Sequence, residues 1–201
     1  MLKQIPNILT MGRLVLTIVF LVMILLAPKY YAEGEVPFPG FLDVAFILFV
    51  IAGLTDIVDG FAARRLNVAS KFGRMVDPLA DKILVCGAFI CFAIIGQPKL
   101  FDLGPGVLSA IHWCVAGILI AREAYVTILR HIAEARGVNF AATASGKIKM
   151  FLQSFAIGTV VIKMAHVQTA AWGYWFATVV FTLMLVVTVI SGIRATKRPH
   201  G

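Results

Sequence analysis

Charge is what this chain has least of: 14% of its 201 residues are charged, against 60% drawn from the apolar and aromatic set. With a mean hydropathy of +0.93, that shortage excludes a water-soluble globular enzyme and a disordered segment. Cysteine is scarce as well. Cys86, Cys91 and Cys114 are the three present, all in apolar stretches without metal-ligand spacing, which excludes a disulfide scaffold and reads as packing. No small-residue cleavage site follows the first apolar run, so the sequence offers no convincing signal peptide. What remains is an integral membrane protein with several spans.

Apolar runs at 8–27, 42–63, 77–96, 107–129, 148–165 and 172–193 predict an all-α protein with six transmembrane helices, each near the ~20 residues a bilayer requires. Pro and Gly punctuate the intervening loops. The chain reads as a single domain over 1–201, with no linker, repeat or low-complexity tract. Of the eighteen Lys and Arg, all but Lys29, Lys99 and Lys163 group with the two termini, which predicts cytoplasmic termini. The formal net charge of +8 fits cationic loops facing anionic lipid, and nucleic acid is not an expected partner.

Two spans are too short in their apolar part. Residues 44–55 supply twelve uncharged positions, about 18 Å of helix against a hydrocarbon core of about 30 Å, so Asp56 and Asp59 must enter the membrane's cytoplasmic portion. Residues 83–95 supply thirteen, about 20 Å, and that helix has to recruit the turns carrying Asp77 and Asp81. Asp56, Asp59, Gly60 and Ala63 share one helical stripe, as do Gly73, Asp77 and Asp81. A hairpin through 66–72 would set the two acidic faces opposite each other.

Ionised carboxylates at this depth cost at least about 2.5 kcal/mol each before repulsion is counted. Two divalent cations would balance four carboxylates, and oxygen-only ligation suits Mg²⁺ or Mn²⁺ over zinc. A pair of such ions is a clamp for in-line displacement at phosphorus. Structural ion pairing and an ion pathway are the competing readings of the same acids. Gly60 and Ala63 weigh against an ion pathway, because small residues let a bulky nucleotide approach the helix backbone.

The stretch Asp56-x2-Asp59-Gly60-x2-Ala63-Arg64-x8-Gly73-x3-Asp77-x3-Asp81 resembles the complete signature of the CDP-alcohol phosphatidyltransferases. The likeness extends over Ile5-Pro6-Asn7, Leu9-Thr10 and Arg13, over Asp77-Pro78-x-Ala80-Asp81-Lys82, and over Ala121-Arg122-Glu123 and Gly146-Lys147-x-Lys149. Within the family, this set is similar to the bacterial phosphatidylglycerophosphate synthases, with Met150 standing where many of them have Thr.

The resemblance implies transfer of the phosphatidyl group of CDP-diacylglycerol to glycerol 3-phosphate, with release of CMP, by attack at the β-phosphorus with two metal ions. Asp56, Asp59, Asp77 and Asp81 would hold the metals. Asp59, Gly60, Ala63, Arg64 and Gly73 would surround the CDP moiety, and Asp81 is the family's candidate base. The anionic acceptor would meet Arg122, Lys147, Lys149 and Arg130. Basic residues at cytoplasmic helix ends are also expected of any membrane protein, and Arg122 could simply pair with Glu123.

The resemblance further implies a homodimer in the bacterial inner membrane, among membrane lipids, with the site facing the cytoplasm. A sister enzyme using inositol phosphate is an alternative, since the signature speaks for the CDP half. Intramembrane prenyltransferases also pair Asp-rich motifs with Mg²⁺, but expect a third Asp where this chain has Ala63. A divalent-cation transporter would need neither Arg64 nor a basic pocket.

Overall fold

In a computed structural model, the backbone is described for residues 5–33, 40–66, 71–100, 103–137, 144–167 and 170–196. Side chains are described for 10–29, 40–55, 79–100, 103–137, 146–167 and 170–196. The described chain is all-helical: α1 (Ile5–Glu33), α2 (Phe41–Leu66), α3 (Lys71–Ile95), α4 (Pro105–Ala135), α5 (Ala144–His166) and α6 (Ala171–Thr196). The order matches the six expected segments, but the helices run past the apolar runs at most ends. A helix in lipid satisfies its backbone internally whatever its side chains are, so polar flanking turns remain helical.

Four helices are long and apolar enough to cross a membrane: Thr10–Lys29 in α1, then α4 (Pro105–Ala135), Gly146–His166 in α5 and α6 (Ala171–Thr196). In α2 the described side chains form a shorter apolar stretch, Phe41–Thr55.

Helices α1 and α6 each bury one stripe and leave the opposite face apolar as well. On α1 the buried stripe is Thr10, Arg13, Thr17, Phe20, Ile24 and Ala27, at alternating steps of three and four, whereas Val15, Ile18, Val19 and Val22 stay exposed. A soluble helix would present polar residues there; these exposed apolar faces suit lipid. On α6 the stripe Gly173, Ala177, Val180, Phe181, Met184, Thr188, Ser191 and Ala195 is buried within the chain. The small residues of span six therefore serve intramolecular packing against α4 and α5.

Helix α1 packs on α2 and α3, α5 packs on α2 and α6, and α4 packs on α3 and α6. The middle of the bundle is apolar. Phe20 meets Phe49 with ring centroids 5.4 Å apart, and Phe89 meets Phe181 edge-on at 5.8 Å. Gly87 on α3 gives α1 its close approach, since a Cβ there would lie 2.7 Å from Leu21 Cδ1.

Two glycines end helices in the left-handed region. Gly96 (φ 66) lets Gln97 N donate to Phe92 O at 3.0 Å beyond α3, and Gly137 (φ 73) closes α4 with a bond to Glu134 O. The cysteine expectation holds only in part: Cys91 is buried and Cys86 partly so, but Cys114 is exposed on α4. Helix α4 is apolar on both sides, so hydropathy does not distinguish its inward face from its outward one.

Candidate functional site

Polar groups gather at the two ends of the bundle. At one end, Asp43 near the start of α2 pairs with His166 at the end of α5, Nε2 to Oδ1 at 2.6 Å. There too His112 is buried, its Nε2 3.0 Å from the carbonyl oxygen of Pro98. Both histidines are thus occupied away from the acidic stretch, as expected of them.

The other end holds the chemistry. On α4, Glu123 Oε1 receives Arg122 Nη1 at 3.0 Å. The same oxygen accepts from Lys149 Nζ, which reaches across from α5. Lys82 on α3 donates to Thr127 Oγ1 at 2.6 Å, and that hydroxyl donates to Glu123 O at 2.6 Å, one turn back on α4. Three helices are thereby tied together at Glu123, α5 through its carboxylate and α3 through Thr127 and its backbone carbonyl. Lys149 is 5% exposed, a depth at which a lysine is retained only when paired.

Asp81, the expected base, is half-buried on α3 and engaged within the structure. It is close enough to Lys149 and Cys86 to act on both electrostatically. The structure therefore brings Asp81, Arg122 and Lys149 to one end of the bundle. Arg122 Nε is buried without a hydrogen-bond partner among the described residues, an open donor on a guanidinium already held in place. Gly192 on α6 makes room for that side chain, because a Cβ there would lie 3.3 Å from Arg122 Cγ.

Lys147 and Arg130 are exposed. Neither forms part of the buried cluster. Asp56, Asp59, Gly60, Ala63, Arg64, Gly73 and Asp77 lie on α2 and α3, but their side chains fall outside the described residues, as does the expected approach of the two acidic faces. Among the described residues, no three His, Cys, Asp or Glu converge on a metal position.

Two residues have a larger part in this end of the bundle than sequence reasoning assigned. Glu123 was read only as a neighbour for Arg122, yet it also fixes Lys149, twenty-six residues away. Its signal was present: an acid in an otherwise apolar span. Arg13 sits on the buried α1 stripe at 2% exposure, on a helix that packs on both acid-bearing helices. Its signal was spacing, since it continues the run of threes and fours through Thr10 and Thr17.

A helical bundle clothed in apolar surface, with a cation–carboxylate cluster at one end, defines a multi-pass membrane protein with an ionic cluster built between its helices. Residues 3–191 match the family model described as CDP-alcohol phosphatidyltransferase. The chain belongs to that family and is an enzyme of its kind.

Among curated relatives, it is 36% identical over 192 residues to a CDP-diacylglycerol–glycerol-3-phosphate 3-phosphatidyltransferase of Bacillus subtilis, covering 94% of this chain and 91% of the relative. It is 33% identical over 197 residues to a probable phosphatidylglycerophosphate synthase of Mycobacterium tuberculosis, covering 98% and 82%. A Salmonella choleraesuis protein with the same name as the Bacillus relative is 32% identical over 198 residues, covering 95% of each chain.

Proposed function

We propose that this enzyme joins CDP-diacylglycerol to glycerol 3-phosphate, giving phosphatidylglycerophosphate and CMP in phospholipid biosynthesis. The observation that carries the acceptor half is the cluster of Arg122, Lys149 and Glu123 beside Asp81. With Lys82 at the same end, three cations, Lys82, Arg122 and Lys149, face the two carboxylates of Glu123 and Asp81, so among the described residues a net positive charge remains for an incoming phosphate. The names of the relatives support the same acceptor.

In this reading a hydroxyl oxygen of glycerol 3-phosphate attacks the β-phosphorus in line, the anhydride bond to CMP breaks, and the hydroxyl proton passes to Asp81. A carboxylate of ordinary pKa near 4 is a weak base for a ground-state alcohol, so Asp81 helps as the proton is lost in the transition state. Arg122 and Lys149 hold the acceptor phosphate through charge-assisted bonds. Lys147, exposed two residues before the buried Lys149, draws the anion in, and Arg130 adds to the positive approach. Asp59, Gly60, Ala63, Arg64 and Gly73 surround the CDP moiety, the small residues admitting it close to the helix backbone.

The donor set of Asp56, Asp59, Asp77 and Asp81 is all oxygen and fits two Mg²⁺ or Mn²⁺ ions. When bound, such ions neutralise the diphosphate and stabilise the departing CMP. In this reading six helices span a bacterial inner membrane, both termini are cytoplasmic, as the Lys and Arg bias of the sequence favours, and the site lies at the cytoplasmic face. A homodimer fits the sparse burial of α4, whose Ile118, Ile128 and Ile132 stand exposed.

The test is an acceptor panel with purified protein, radiolabelled CDP-diacylglycerol and Mg²⁺ or Mn²⁺, scored by lipid product. Label in phosphatidylglycerophosphate, abolished by chelator and restored by metal, is the expected result. Label appearing only with inositol phosphate would replace the acceptor, and ion movement across vesicles without CMP release would replace the reaction class.

A further inference from the structure

At the end of the bundle opposite the carboxylate cluster, a cavity of about 410 Å³ opens between α2, α5 and α6. Its walls are apolar, with Phe46, Phe49, Phe155 and Phe176 facing Gly158 and Gly173, which contribute backbone and no side chain. One cation lines it: Lys163, 5% exposed. Lys163 Nζ sits 4.2 Å from the centroid of the Tyr174 ring, and Lys99 is near enough to repel it.

Among the described residues no carboxylate pairs with Lys163. Asp43 stands at the same end of the bundle, and its Oδ1 is bonded to His166. A cation–π contact offsets only part of what burying an ammonium costs.

We propose that this slot binds an anionic phospholipid, one acyl chain lying along the phenylalanine wall and the phosphate meeting Lys163. Charge complementarity selects the occupant: a cation without a carboxylate partner among the described residues, lining an apolar slot, calls for an anion with a hydrocarbon tail. A soluble phosphate would leave the apolar walls unfilled. The slot is distinct from the catalytic end, because Lys163 lies fourteen residues beyond Lys149 on α5, about 21 Å along the helix. The proposal therefore stands apart from the acceptor assignment, and its test involves no turnover.

Trp172 lines the slot and is 64% exposed, so it serves as the reporter. With Trp113→Phe and Trp175→Phe, Trp172 becomes the sole tryptophan. The protein is placed in nanodiscs doped at equal mole fraction with acyl-brominated phosphatidylglycerol or phosphatidylcholine, and quenching is compared. The expected result is an about fivefold preference for the anionic lipid, the equivalent of about 1 kcal/mol for one lysine. Lys163→Met should abolish it and Lys163→Arg retain it.

Thr159→Phe, which fills the slot, should also lower quenching and supplies the test should Lys163→Met not fold. Equal quenching by both lipids, or an undiminished preference in a folded Lys163→Met protein, overturns the proposal. Relief of quenching by free glycerol 3-phosphate would make the occupant a soluble phosphate and overturn it as well.

Discussion

Replacing Lys149 by Met removes one of the two cations that share Glu123 Oε1 while keeping a long apolar stem in a position that is 5% exposed. A hydrogen bond to a charged group contributes about 1.5–3 kcal/mol. If Lys149 meets the acceptor phosphate, the KM for glycerol 3-phosphate should therefore rise about 10- to 100-fold, at 1.36 kcal/mol per decade, with the KM for CDP-diacylglycerol unchanged.

Stability should fall by less than the about 3–5 kcal/mol that orphaning a buried charge costs, because Glu123 keeps Arg122 at 3.0 Å. The assay is CMP release in mixed micelles with each substrate varied in turn, run beside thermal unfolding of the same preparations. A cycle with Glu123→Gln separates the pair's own coupling from its effect on the acceptor. A Lys149→Met enzyme with reduced melting temperature but an unaltered acceptor KM would show that the cluster is only a strut, and the reasoning would fail. Equal rises in both KM values would count against it too.

Asp81→Asn should abolish turnover while CDP-diacylglycerol binding stays measurable; full turnover would remove its role as base. Gly192→Val, on α6, should push on Arg122, whose Cγ already lies 3.3 Å from an added Cβ. It should raise the acceptor KM several-fold and leave binding of CDP-diacylglycerol intact. Gly87→Val places a branched side chain where Leu21 Cδ1 stands 2.7 Å from the first added carbon. An overpacking cost of about 1–3 kcal/mol should appear as a lower melting temperature with unchanged KM values, and an unshifted melting curve would contradict the tight α1–α3 packing.

The apolar runs alone foretold the number and order of helices, because about twenty predominantly apolar residues have few other ways to satisfy their backbone in lipid. The shortfall of apolar length in α2 is a property of the sequence alone, where Asp56 and Asp59 follow Thr55. Helix ends were less legible: α4 continues to Ala135 and α3 begins at Lys71, since polar residues at a membrane boundary are compatible with helix and loop alike. Asp81, Arg122 and Lys149 could be picked from their types and spacing, and all three meet at one end of the bundle.

What the sequence by itself determined is the class: a membrane-embedded helical protein with acids where hydrocarbon should be, in a spacing shared with one enzyme family. Only the tertiary structure decided which apolar faces turn inward, leaving Cys114 exposed and burying Gly173 and Ala177. It alone showed that Glu123 holds Lys149 as well as Arg122. The physical reason is that hydropathy reports how much surface must leave water, and on helices apolar all round it carries no direction. Direction comes from packing, where small residues, ring contacts and one shared carboxylate choose the neighbour.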